Sequence, residues 1–135
     1  MGKAGHPHDT VDGNYWDFSW KPDALVINLG TNDQLGNRPQ LVSTYNATYL
    51  SLVLSAAAVY PGTTFFLACG PMDEAYCEPV RWVISRAKAA GVNAVFLDQR
   101  NFDCECCGHP CAAVDAKIAA ATSKAIAAQM GWQVE

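Results

Sequence analysis

Long apolar runs are missing from this 135-residue chain. None approaches the roughly 18 consecutive apolar residues that a helix needs to cross a bilayer, which excludes a membrane span. Basic residues are few and scattered. Nine Lys and Arg against thirteen Asp and Glu leave a net charge of −4, so there is no electrostatic footprint for nucleic acid or for an anionic membrane surface. The first twenty residues hold His, Asp, Pro and Trp instead of a charged start followed by an apolar run, and do not read as a signal peptide. Internal repeats and low-complexity segments are also lacking. What is present is an apolar half, enough for one domain with a core and, at this length, too little for two.

Residues 1–22 are polar and turn-rich, with no periodicity, and read as an N-terminal loop or tail ahead of a domain over residues 23–135. His6 and His8 flank Pro7 without a thiol or carboxylate at ligand spacing, so no metal is expected there. Trp16, Phe18 and Trp20 alternate and are expected to pack against the edge of a sheet. Ala24 to Leu29 is a short apolar run, too short for a free-standing helix and suited to a strand buried on both faces of a parallel sheet. Leu41, Val42, Tyr45, Tyr49, Leu52, Val53 and Ala56 then recur at helical spacing up to Tyr60, with Pro39 in the first turn and Pro61-Gly62 as terminator. Thr63 to Cys69 reads as a second strand, Glu74 to Gly91 as a second helix and Val92 to Leu97 as a third strand. Val114, Ile118, Ala121, Ala125, Ile126 and Met130 mark a closing helix stopped by Gly131. The alternation predicts an α/β fold, a three-layer α/β/α arrangement around a parallel sheet. Three strands are few for a doubly wound domain, whose sheets usually have about five.

Six cysteines are more than a cytosolic domain of this size usually carries. Cys69 and Cys77 bracket one loop and form a candidate disulfide. Cys104, Cys106, Cys107 and Cys111 crowd a second loop, either as disulfide partners, as free thiols or as the core of a zinc or redox module. Zinc is the weakest of these, because adjacent Cys106 and Cys107 do not easily point at one ion. Asn46-Ala47-Thr48 is a candidate glycosylation sequon, although it falls inside the first helix. Cysteines and sequon together favour an extracellular or secretory location.

Two motifs stand at the ends of elements. Gly30-Thr31-Asn32-Asp33 follows the first strand, where Gly allows a sharp turn and three hydrogen-bonding side chains reach the carboxyl edge of the sheet. Gly108-His109-Pro110 stands where the last loop meets the closing helix. In that order they resemble the third and last conserved blocks of the SGNH (GDSL-like) hydrolases. With the Gly70-Pro71-Met72 turn, the resemblance from about Trp16 to Trp132 is closest to the catalytic domain of carbohydrate esterase family 2. It implies an SGNH or flavodoxin-like fold, a serine esterase that removes acetyl groups from sugar or polysaccharide, and no cofactor. It also implies that Asn32 and Gly30 serve the oxyanion hole and that His109 is the general base.

Two departures accompany this resemblance. Cys106 occupies the position three before His109 where many members carry the orienting Asp, leaving Asp103, Glu105 or a backbone carbonyl as its replacement. No Gly-Asp-Ser block occurs in the sequence. Ser43, Ser51, Ser55, Ser85 and Ser123 fall on expected helices, and Ser19 stands between Phe18 and Trp20 ahead of the first strand. The reading is therefore of the C-terminal part of such a hydrolase, lacking its first βα unit and inactive by itself. A non-catalytic carbohydrate-binding or structural relative is the alternative.

Overall fold

A computed structural model of the chain describes residues 17–33, 39–102 and 108–133. Its elements are β1 (Ala24–Ile27), α1 (Pro39–Val59), β2 (Thr64–Cys69), α2 (Cys77–Ala89), β3 (Ala94–Asp98) and α3 (Ala112–Met130). All three strands are parallel, in the order β1-β2-β3, with Leu25 opposite Phe65 and Phe65 opposite Ala94. This is the expected α/β fold with helices on both faces of the sheet.

Strand β2 sits in the middle and all six of its residues are buried. Its alternation divides the core. Phe65, Leu67 and Cys69 face α1 and α2, whereas Phe66 and Ala68 face the side closed by Ile126 and Met130 of α3. Two successive right-handed crossovers in one direction put α1 and α2 on one face. Helix α1 turns Tyr45, Tyr49 and Val53 inward at four-residue spacing, and α2 turns Val80, Val83 and Ala87 inward at spacings of three and four.

Three expectations need correction. The apolar run of β1 predicts a strand buried on both faces, yet β1 pairs only with β2 among the described residues and Val26 is 47% exposed. Apolar composition reports what a strand can bury, not what covers it. The seam of α3 also differs: Val114, Ile118, Ile126 and Ala127 turn inward, while Ala121 and Ala125 are exposed. A helix rich in alanine carries little directional signal. Finally, Phe18 does not line the sheet edge but meets Tyr60 at the end of α1, ring centroids 5.8 Å apart, and Trp20 is 63% exposed. There Lys21 Nζ donates to the Val59 carbonyl at 2.6 Å, tying the entry segment to the amino edge of the sheet. Trp16 lies outside the described residues.

The central position of Phe66, fully buried between β1, β3 and α3, makes its truncation costly. Phe66→Ala is expected to lower stability by about 3–5 kcal/mol, read as a lower urea midpoint with an unchanged slope.

Candidate active site at the carboxyl edge of the sheet

Each strand is followed by a polar residue or a glycine, and these residues are tied to one another. Asn28, just past β1, donates from Nδ2 to the Gly70 carbonyl at 2.9 Å and to Gln99 Oε1 at 3.1 Å. The Gln99 backbone N–H donates to the Cys69 carbonyl at 2.8 Å, and its Nε2 donates to Thr122 Oγ1 on α3 at 3.1 Å. One amide pair thus joins the ends of all three strands to the closing helix. Gly70, at φ +89°, passes so close to β3 that a Cβ there would stand 2.8 Å from the Gln99 carbonyl carbon. The sequence gives one hint of this network, a lone asparagine inside the apolar run from Leu25 to Leu29.

Above the network the Gly30 turn closes with the Asp33 N–H donating to the Gly30 carbonyl at 2.7 Å. Gly30 takes φ +128°, a conformation that side chains disfavour. The cleft over these strand ends has a volume of about 480 Å³ and is lined by residues 28–33, residues 70–72 and His109. Asn32 and His109, far apart in sequence, therefore share one cleft at the carboxyl edge, where ligands bind in open α/β sheets. Both are exposed, and Pro71 and Met72 of the second strand-end loop form a wall of the cleft.

The loop carrying that wall is closed by a disulfide between Cys69, the last residue of β2, and Cys77, the first of α2. That pairing is the one expected from the bracketing of the loop. Cys111 is the N-cap residue of α3. Cys104, Cys106, Cys107 and the candidate acids Asp103 and Glu105 lie outside the described residues. Among the described residues no group of His, Cys, Asp and Glu is arranged to hold a metal ion. Asp98, at the end of β3, is engaged by Arg100, whose Nε and Nη2 donate to its two oxygens at 2.9 and 2.6 Å. Those hydrogen bonds hold its carboxyl well below the usual carboxylate range, at about 2.

Among the described residues no serine lines the cleft. Ser43, Ser51 and Ser55 are on α1, Ser85 on α2 and Ser123 on α3. Ser19 stands before the start of β1, its Oγ donating to Asp17 Oδ1 at 2.8 Å. The sequon residue Asn46 lies in the second turn of α1, part-buried, beside Trp82 and Arg81 of α2.

No family model matches the sequence, and no curated protein does. Solved structures do. A carbohydrate esterase family 2 enzyme with a carbohydrate-binding domain from Corynascus thermopiles (Myceliophthora fergusii) is 33% identical, with a TM-score of 0.70 over 88% of this chain and 41% of its own. The chain has the fold of part of a family 2 carbohydrate esterase. A family two carbohydrate esterase from Clostridium thermocellum, solved with cellohexaose, is 26% identical with a TM-score of 0.75, covering 90% of this chain and 41% of that one. A third carbohydrate esterase, whose active site displays divergent catalytic and non-catalytic binding functions, is 25% identical with a TM-score of 0.76, over 87% and 42%. The chain thus spans about two-fifths of the length of each esterase it matches. Its architecture is consistent with part of an SGNH fold.

The Asn28 amide is expected to be structural for the whole edge. Asn28→Ala leaves the Gln99 oxygen and the Gly70 carbonyl without their donor and is expected to cost about 1–3 kcal/mol by urea denaturation. A loss below about 0.5 kcal/mol, the size of an ordinary surface substitution, contradicts this role.

Proposed function

We propose that this domain is part of an SGNH-type serine esterase that removes acetyl groups from carbohydrate. The observation that carries this reading is the presence of Asn32 and His109 in one cleft at the carboxyl edge of a family 2 esterase fold. The nucleophilic serine comes from outside the 135 residues. The edge of β1, unpaired among the described residues and with Val26 half-exposed beside it, supplies a place for a further parallel strand whose carboxyl end would point at the same cleft.

In that assembly the serine Oγ attacks the acetyl carbonyl carbon while His109 takes the hydroxyl proton. Asn32 and the backbone N–H groups of the turn stabilise the oxyanion. Collapse of the tetrahedral intermediate breaks the ester C–O bond, and His109 returns the proton to the departing sugar oxygen. Water, deprotonated by His109, then attacks the acyl-serine carbonyl; collapse breaks the serine Oγ–C bond, His109 returns the proton to that oxygen, and acetate leaves. Asp103, Glu105 or a backbone carbonyl holds the second imidazole nitrogen. This chemistry implies no cofactor. The buried disulfide supports an extracellular or secretory setting, and Asn46 is the candidate glycan carrier there.

The test compares this chain with a version extended upstream through a serine-bearing strand, on a small acetyl ester and on acetylated polysaccharide. The extended protein is expected to hydrolyse both. His109→Ala should lower turnover by roughly a hundredfold or more, and Asn32→Ala by a similar factor. Hydrolysis by the 135-residue chain itself, surviving Ser19→Ala, would overturn the assignment of the nucleophile to another segment. A second reading, carbohydrate binding without catalysis, is equally compatible with a cleft that no serine lines among the described residues. Saccharide binding by the extended protein with no turnover would establish it.

A further inference from the structure

The Gly30 turn is backed by tyrosines that the esterase reading does not use. Tyr45 Oη on α1 donates to the Leu29 carbonyl at 2.9 Å, the peptide oxygen immediately before Gly30. Tyr76, only 2% exposed, lays its ring against Gly30 itself, so that a Cβ on residue 30 would stand 2.7 Å from Tyr76 Cε1. The two rings touch, centroids 5.4 Å apart at 59°, and Tyr76 immediately precedes the half-cystine Cys77. The turn is therefore held from below by a hydrogen bond and from the side by an aromatic face that the disulfide anchors to β2.

We propose that Tyr45 and Tyr76 are positioning residues that set the Gly30–Asn32 turn, Tyr45 through the Leu29 carbonyl and Tyr76 through ring contact with Gly30. The catalytic meaning of this rests on the reading of that turn as the oxyanion segment; the geometry does not. Position 30 must be glycine for two separate reasons, its φ of +128° and the ring beside it. Burial, with the charge of Asp33 and that of the ionisable Tyr76 hydroxyl adding to it, pushes the Tyr45 phenol up, so the hydroxyl remains a donor at neutral and moderately alkaline pH. Tyr49 serves as an internal comparison. Its Oη donates to the Ile27 carbonyl at 3.3 Å, within the strand and before the turn.

Solvent exchange of the Asp33 amide, which donates to the Gly30 carbonyl, reports the turn directly in the 135-residue chain by NMR. Tyr45→Phe is expected to speed that exchange about five- to tenfold, the equivalent of one lost hydrogen bond. The amides of β2 should change by less than about twofold, and Tyr49→Phe should leave Asp33 equally unaffected. Unchanged Asp33 exchange in Tyr45→Phe, or an equal effect from Tyr49→Phe, would overturn the proposal. In the upstream-extended protein the same Tyr45→Phe variant should lower kcat and leave KM unaltered. A raised KM at constant kcat counts against positioning of the oxyanion segment. If the extended protein does not hydrolyse esters at all, the esterase reading fails while the exchange result still decides whether Tyr45 sets the turn.

Discussion

The amide of Asn28 is the constraint on which the upper edge of this domain depends. A parallel sheet delivers its strand ends to one edge, but backbone hydrogen bonding stops where the strands stop, and the loops beyond are free to splay. Here one side-chain amide bonds the carbonyl of Gly70 and the side chain of Gln99, and Gln99 reaches on to Thr122. Asn28 itself is exposed, but the acceptors it serves on Gly70 and Gln99 are buried, so the network is costly when partly satisfied. It fixes the floor on which the Gly30 turn, the Pro71–Met72 wall and His109 come together.

The lower parts of the fold are built for this. The α1 and α2 face is closed by tyrosines and aliphatic side chains, and two of those tyrosines spend their hydroxyls on carbonyls at the end of β1. The disulfide at the end of β2 anchors the second loop at both ends. The opposite face is thinner. Among the described residues only α3 covers it and β1 has no partner on its outer edge, which folded proteins ordinarily pair or cover. The same edge adjoins the cleft, so a strand added there would both complete the sheet and reach the candidate site.

Much of this architecture is legible in the residues themselves. The helical spacing of Tyr45, Tyr49 and Val53 and the short apolar runs around them define element order, because period and length are local properties. The convergence of Asn32 and His109 follows from topology once the strands are parallel. The clamp is less visible. Asn28, Gln99 and Thr122 are ordinary polar residues whose partners lie far away in sequence, and no spacing rule connects them. Nor does composition show that β1 has an open side, since Val26 reads the same whether or not something covers it. Gly30 looks like turn chemistry alone, and only the fold shows that the ring of Tyr76 also requires glycine there.

The central claim is that Asn32 and His109 act on one ligand in the cleft above the Asn28 clamp. Titration of the isotope-labelled chain with an acetylated oligosaccharide, followed by NMR at the Gly30 amide, the Asn32 side-chain amide and the His109 ring, tests it most directly. The account predicts that all three signals shift together along one binding curve, while residues at the amino edge such as Tyr60 stay in place. Shifts confined to one of the three, or the three following different curves, would contradict it.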